Sequence, residues 1–107
     1  MIASAWSSGK HRHKGTTYGL KLRAEDRDRY FSRTWTCVEP FLSGQLAPAT
    51  INIAKASFWD HTCRELISAE IGRWLCAQGK TPWVKGHPPK VELEPLGGNR
   101  FSARLVP

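Results

Sequence analysis

Hydrophobic and polar residues alternate in residues 17–23, and this alternation predicts a β-strand. Tyr18, Leu20 and Leu22 fall on one face of the segment, while polar residues and Gly19 fall on the other. Such a two-residue period is typical of a strand with one buried face. A glycine in mid-strand has no side chain to pack, so Gly19 indicates a bend, a bulge or the close approach of another backbone.

Two further strands are predicted before the middle of the chain. Residues 35–42 are rich in β-forming side chains, and Pro40 restricts that strand to a sheet edge or a strand end. Residues 50–54 alternate again, and the short connection between the two segments favours an antiparallel pair. The charged residues 24–33, AEDRDRYFSR, predict one helical turn near their centre or an ion-paired surface turn.

The longest predicted element is a helix over residues 62–79. Thr62 and Glu65 have the spacing of a capping box, in which each side chain accepts a hydrogen bond from the backbone N–H of the other residue. The helix is therefore predicted to begin at this pair, and Gly79 is predicted to end it in the left-handed conformation. Apolar residues at three- and four-residue steps form a stripe that can pack on a sheet: Leu66, Ile67, Ile71, Trp74 and Leu75.

A hairpin is predicted near the end of the chain. Residues 90–94 and 100–105 both alternate between apolar and polar side chains. A three-residue loop over 97–99 keeps both apolar sets on one face and places Glu92 opposite Arg104.

The order of these elements predicts an α+β fold with a small five-stranded, mainly antiparallel sheet or partly open barrel. One main helix lies between the third and fourth strands. This order resembles the oligonucleotide- and oligosaccharide-binding fold, a topological resemblance over about residues 17–106 that rests on no residue motif. A fold by itself implies no function. We predict a flexible basic segment over residues 1–16 and a single α+β domain over residues 17–107.

Composition and charge add a candidate partner. The 107 residues are 40% apolar, which suits one compact domain, and the net charge is +7. The first 23 residues contain no acid but five cations, Lys10, Arg12, Lys14, Lys21 and Arg23. Such clustering of positive charge favours a polyanionic partner.

The motif GKHRHKG, residues 9–15, has three interpretations. It can be a well-solvated mobile segment, an arm that contacts phosphates, or a metal site built on His11 and His13. The metal site is the weakest of these, because a third ligand is missing nearby and the interleaved cations repel a metal ion. Phosphate contacts need only positive charge within reach.

Other candidate chemistry is weaker. Glu25, Asp26 and Asp28 alternate with arginines that neutralise them, so we predict no metal site there. Cys63 lies at the predicted helix start, where a thiol can be activated, but small buried side chains are the commoner role of a cysteine. The three cysteines fit neither a disulfide framework nor a paired-cysteine zinc site.

The aromatic residues divide into two groups. Trp74 and Phe101 fall on apolar faces and are predicted to lie in the core. Trp59 and Trp83 lie in connecting segments, where they can cover the ends of the helix or, beside basic residues such as Lys85, stack on nucleobases. Covering the helix ends is the favoured interpretation, because a small domain needs that burial.

We expect a non-enzymatic domain that binds single-stranded or structured RNA or DNA, or another polyanion, without cofactor or metal. The predicted contacts are Lys10, Arg12, Lys14, Tyr18, Lys21, Arg23, Arg27, Arg29, Trp83 and Lys85. The alternative is a protein-interaction or homo-oligomerisation module, for example a homodimer formed through the second strand or the surface around the two tryptophans. No apolar run is long enough to span a membrane and no secretory signal is recognisable, so a cytoplasmic setting is expected.

Overall fold

The computed structural model describes residues 1–8, 17–60 and 64–107. Within these ranges it contains seven strands and three short helices. The elements are β1 (Ile2–Ser7), β2 (Tyr18–Lys21), α1 (Ala24–Tyr30), β3 (Cys37–Leu42), β4 (Ile51–Asn52), α2 (Ala56–Trp59), β5 (Glu65–Ile67), α3 (Ala69–Ala77), β6 (Lys90–Gly97) and β7 (Arg100–Leu105). No helix in the described ranges is both long enough and apolar enough to cross a membrane.

The seven strands form one sheet in the order β4-β3-β7-β6-β1-β2-β5. All neighbours are antiparallel except β3 and β7, which run parallel. The two end strands, β4 and β5, approach each other, so the sheet is nearly closed and resembles a barrel. The predicted α+β class and the mainly antiparallel pairing are therefore confirmed.

The predicted count of five strands is wrong, because it lacks β1 and β5. Residues 2–7 were grouped with a flexible segment, yet they form β1 between β6 and β2. The inward-facing residues of β1 are the small Ala3 and Ala5, while Ile2 and Trp6 occupy the other face. The small side chains of β1 are thus the buried ones and the large side chains face outward. A search for large apolar residues at alternate positions therefore does not detect this strand as half-buried.

The predicted start of the main helix is also wrong. Residues 65–67 pair with β2 as strand β5, and α3 begins at Ala69, where the Ser68 hydroxyl accepts a hydrogen bond from the Glu70 N–H. Thr62 lies outside the described residues. An apolar residue such as Leu66 fits the apolar stripe of a helix and a buried strand position equally well. Backbone pairing with β2 makes this segment a strand. The helix therefore lies between the fifth and sixth strands, and the five-stranded order on which the topological resemblance was based does not hold.

The rest of the predicted helix is confirmed. The later members of the apolar stripe, Ile71, Trp74 and Leu75, are buried in the core. Gly79 follows the helix with a φ of 71°, as expected for a left-handed terminal residue. The Trp74 indole N–H donates to the backbone oxygen of Ser43 over 2.9 Å, so this large core side chain is fully satisfied.

The terminal hairpin has the predicted face pattern but a different turn. Glu92 lies opposite Arg104, as predicted, and the two side chains are 2.6 Å apart. The hydrogen bond from Arg104 lowers the pKa of Glu92. Gly97 pairs with Arg100, so the turn is shorter than predicted, and an irregularity between Pro95 and Gly97 restores the register.

Two shorter predictions also hold. Residues 24–30 form the helix α1, and β3 pairs antiparallel with β4. Strand β4 is only two residues long and pairs with Cys37 and Val38, so the ladder on that side ends before Pro40. Proline is tolerated in β3 because its missing N–H falls where the ladder has already stopped.

Gly19 is the point where β2 and β5 approach most closely. A Cβ atom at this position would lie 2.6 Å from the backbone oxygen of Leu66 and 3.2 Å from the Cα of Ile67. Both atoms belong to backbone and cannot rotate away. The predicted close backbone approach at Gly19 is therefore confirmed.

We predict that Gly19→Ala lowers the free energy of unfolding by about 1–3 kcal/mol, the usual cost of inserting a carbon into a packed site. Urea denaturation measures this change. Gly72→Ala is the matched control, because its Cβ would meet the Tyr18 ring at 3.1 Å, a side chain that can yield, and alanine favours the helix. Equal midpoints for Gly19→Ala and the unmodified protein would contradict the prediction.

Candidate functional site

A groove of about 430 Å³ lies on the outer face of the sheet, opposite the core. We call it the basic groove. Its lining consists of Ile2, Ser4, Lys21, Leu22, Arg23, Arg64 and Lys90. Four of these seven residues are cations and none is an acid.

The register of three adjacent strands creates the basic groove. Ser4 on β1 pairs with Lys90 on β6 and with Lys21 on β2. Cross-strand partners project from the same face, so the two lysines flank Ser4 at roughly one strand spacing, about 5 Å, on each side. The Lys90 ammonium donates to the Ser4 hydroxyl over 2.6 Å.

Arg64 and Arg23 complete the groove from the ends of β5 and β2. The Leu22 N–H donates to the Arg64 oxygen over 2.8 Å, and the Arg64 Nε donates back to the Leu22 oxygen over 3.2 Å. Arg64 is thereby held at the groove. Arg23 forms an ion pair with Glu25, but both side chains are exposed, and such pairs are worth little and exchange readily.

Glu65 moderates the positive potential at one end of the groove. It lies directly opposite Lys21 in the pairing of β2 with β5 and is only 7% exposed. Its Oε2 atom has no hydrogen-bond partner among residues 1–8, 17–60 and 64–107. Opposite charges on facing strand positions attract, so Glu65 partly offsets the charge of Lys21.

The predicted contact residues are only partly brought together. Lys21 and Arg23 line the basic groove. Lys10, Arg12 and Lys14 lie outside the described residues, so the three interpretations of GKHRHKG stay predictions. The flanking residues Ser8 and Thr17 are hydrogen-bonded over 2.9 Å, at one end of β1 and β2. Ser8 is about 13 Å along the strand from Ser4, at about 3.3 Å per residue.

Arg27 was predicted as a surface contact, but it is buried at 7% exposure. Its guanidinium donates to the backbone oxygens of Phe58 over 2.8 Å and Asp60 over 2.6 Å, and its Nε donates to Asp28 over 3.0 Å. Arg27 therefore joins α1 to α2 and is occupied by the protein itself. Arg29 is exposed and lies 5.3 Å from the ring of Tyr30, away from the groove lining.

Tyr18 and Trp83 were predicted as stacking residues, but they pack on each other. Their ring centroids are 5.9 Å apart in an edge-to-face arrangement. Tyr18 also lies against Gly72 of α3, on the core side of the sheet. Burial and, secondarily, the charge of Cys76 raise the pKa of Tyr18. Trp83 is partly buried against the core, and the exposed Lys85 that follows it does not line the basic groove.

Two groove residues, Arg64 and Lys90, were not among the predicted contacts. The missing signal was β1, because only that strand brings Lys90 within reach of Lys21. The alternation between Ser4 and its alanine neighbours could have indicated the strand, but its place between β6 and β2 carries no local signal.

Among the described residues, no group of three His, Cys, Asp or Glu side chains is placed to hold a metal ion. This includes the acidic residues of α1, two of which pair with arginines. Cys37 is half-buried and Cys76 is exposed, and both are free thiols. Cys63 lies outside the described residues, so its packing role stays a prediction.

Comparison with known proteins adds no further information. No protein-family model matches the chain, and neither curated protein sequences nor solved structures yield a match. The functional argument therefore depends on the geometry of the site alone.

We predict that Arg27→Ala destabilises the fold, because it leaves two carbonyl oxygens without their donor. The expected loss is about 1–3 kcal/mol in the free energy of unfolding. Arg29→Ala, two residues further along α1 and exposed, is the control and should change it by less than about 0.5 kcal/mol. Urea denaturation of both variants measures these changes. Similar losses in the free energy of unfolding would show that Arg27 has no special structural role.

Proposed function

We propose that this protein is a non-enzymatic domain that binds nucleic acid through the basic groove. The observation that carries the proposal is the convergence of four cations, with no acid in the lining, on one open groove. A polyanion that enters it gains several phosphate contacts and releases counterions. Lysine and arginine contacts of this kind position the nucleic acid backbone without reading its sequence.

The basic segment between Ser8 and Thr17 supports the same proposal. Lys10, Arg12 and Lys14 belong to a connection whose flanking residues lie about 13 Å along the strands from the groove residues Ser4 and Lys21. Contacts from this connection to phosphates on either side of the groove would extend the binding surface. Phosphate contact requires charge within reach and tolerates imprecise geometry.

The oligomerisation alternative has less support. The second predicted strand, β3, lies between β4 and β7, so its backbone is largely paired within the sheet. Trp59 and Trp83, the other surfaces suggested for it, pack against the core. The sheet ends in β4 and β5, which are two and three residues long, and short edge strands resist pairing with other chains.

We predict that replacing Lys21 and Lys90 together by glutamine weakens binding to a labelled single-stranded oligonucleotide by about tenfold or more. The loss should be accompanied by a shallower salt dependence, since each phosphate contact on a single strand contributes a slope of about 0.7. Fluorescence anisotropy titrations at about 50 and 200 mM salt measure both quantities.

The matched control replaces Arg73 and Lys80 by glutamine. This pair gives the same net charge but belongs to α3 and the turn after it, away from the basic groove. Equal loss of affinity in both double variants would show a diffuse charge effect, and an absence of binding at about 50 mM salt would refute the proposal. Size-exclusion chromatography of the unmodified protein tests the alternative, for which a stable dimer indifferent to nucleic acid is expected.

A further inference from the structure

A second groove, of about 360 Å³, lies at α2. We call it the Trp59 groove. It is lined by Arg33, Ala54, Lys55, Ala56, Trp59 and Asp60. Trp59 was considered as a stacking residue from the sequence but was not among the predicted contacts, and none of the six residues lines the basic groove.

The indole of Trp59 is held in place by its surroundings. Its Nε1 donates to the backbone oxygen of Ile53 over 3.1 Å, and its ring meets Phe58 edge to face with centroids 5.2 Å apart. Phe58 is fully buried, whereas Trp59 is half-buried. The ring is therefore a rigid aromatic surface, anchored in the core on one side and open to the groove on the other.

Two arginines lie over this ring, but only one can leave it. The guanidinium carbon of Arg27 is 5.7 Å from the ring centroid, and its hydrogen bonds to two carbonyl oxygens fix it there. That of Arg33 is 4.8 Å from the centroid, and the side chain is exposed. Arg33 has no ion pair with any described carboxylate. A planar cation over an indole is held by a modest attraction at an exposed site.

We propose that the Trp59 groove binds one unpaired nucleobase of a single strand, stacked on Trp59. The base takes the position over the ring that Arg33 occupies in the free protein, and Arg33 and Lys55 then contact the flanking phosphates. This inference rests on the proposed function and narrows its ligand to nucleic acid with unpaired bases. Paired bases are stacked inside a duplex and cannot reach the ring.

The charges of the two grooves support this division of roles. The basic groove has four cations and no acid in its lining, which suits phosphates. The Trp59 groove has two cations and the carboxylate of Asp60, so its excess charge is small and its distinguishing feature is the aromatic ring. Aromatic rings interspersed with cations are the usual surface for single strands.

Helix α1 connects the two grooves, which allows one strand to occupy both. Arg23 precedes α1 and lines the basic groove, while Arg27 within α1 donates to the Asp60 oxygen at the Trp59 groove. A seven-residue helix is about 10 Å long at 1.5 Å per residue. An oligonucleotide of about ten nucleotides, a typical site size for small single-strand binders, is longer than this helix.

The test compares two probes of equal charge, an oligothymidylate of about ten nucleotides and an abasic oligonucleotide of the same length. The unmodified protein should bind oligothymidylate at least about tenfold more tightly than the abasic probe. A difference of this size is expected from one stacked base. Trp59→Leu should remove this preference and leave affinity for the abasic probe unchanged. Trp83→Leu, at a tryptophan that packs on Tyr18, should retain the preference.

A second measurement uses a variant that conserves the packing of the core. Oligothymidylate should quench tryptophan fluorescence in the unmodified protein and in Trp83→Phe, and much less in Trp59→Phe. Unchanged quenching in Trp59→Phe would overturn the inference even if Trp59→Leu failed to fold. Equal binding of both probes by the unmodified protein would refute base stacking on Trp59 but would remain consistent with phosphate binding in the basic groove. Failure to bind either probe would refute the proposed function as well.

Discussion

The pairing of β1 on both of its edges is the interaction on which the rest of the sheet depends. On one side β1 pairs with β6, where the Leu93 N–H donates to the Met1 oxygen over 2.9 Å, and on the other it pairs with β2. Strand β1 thus joins the four strands that end in β6 to the pair formed by β2 and β5. The inward-facing residues of β1, Ala3 and Ala5, are small and belong to the same buried core as the larger side chains.

The same pairing determines the surface chemistry. Ser4, on the outer face of β1, has a short side chain. The long side chains of its two cross-strand neighbours, Lys90 and Lys21, therefore converge over it. A serine can also accept a hydrogen bond from one of the two ammonium groups, which lowers the cost of placing like charges near each other. The other outer-face charges belong mainly to ion pairs on β6, β7 and β3, so the positive potential of the sheet is concentrated at the groove.

The sequence predicted those parts of the fold that depend on local patterns. The strand at residues 17–23, the terminal hairpin with Glu92 opposite Arg104, and the buried stripe of α3 all repeat large apolar residues at a fixed period. β1 and β5 escaped prediction for two different reasons. In β1 the buried positions carry alanine, and in β5 the three residues were also compatible with the helix that follows, until pairing with β2 fixed them as a strand.

The candidate site was predicted less well than the fold, because it is assembled from distant segments. Lys21 and Arg23 were identified from their local charge, whereas Arg64 and Lys90 carry no local signal and depend on strand order. Arg27 was wrongly predicted to be a free surface cation, because its neighbours in the sequence are polar. Its guanidinium instead donates hydrogen bonds to the backbone oxygens of Phe58 and Asp60. Charge patterns indicate which residues can bind a polyanion, but only the fold shows which of them are already occupied.

The position of β1 in the sheet also has a consequence for how the chain matures. Ser4 and Lys90 face each other across β1 and β6 but are separated by 86 residues in the chain. During synthesis, the edge of β1 that pairs with β6 therefore stays without its partner until residues 90–92 have been translated. Contacts between such distant segments fold slowly, because a long loop must close before they form. Until that loop closes, one edge of β1 is exposed, and an unpaired strand edge is prone to pair with other chains.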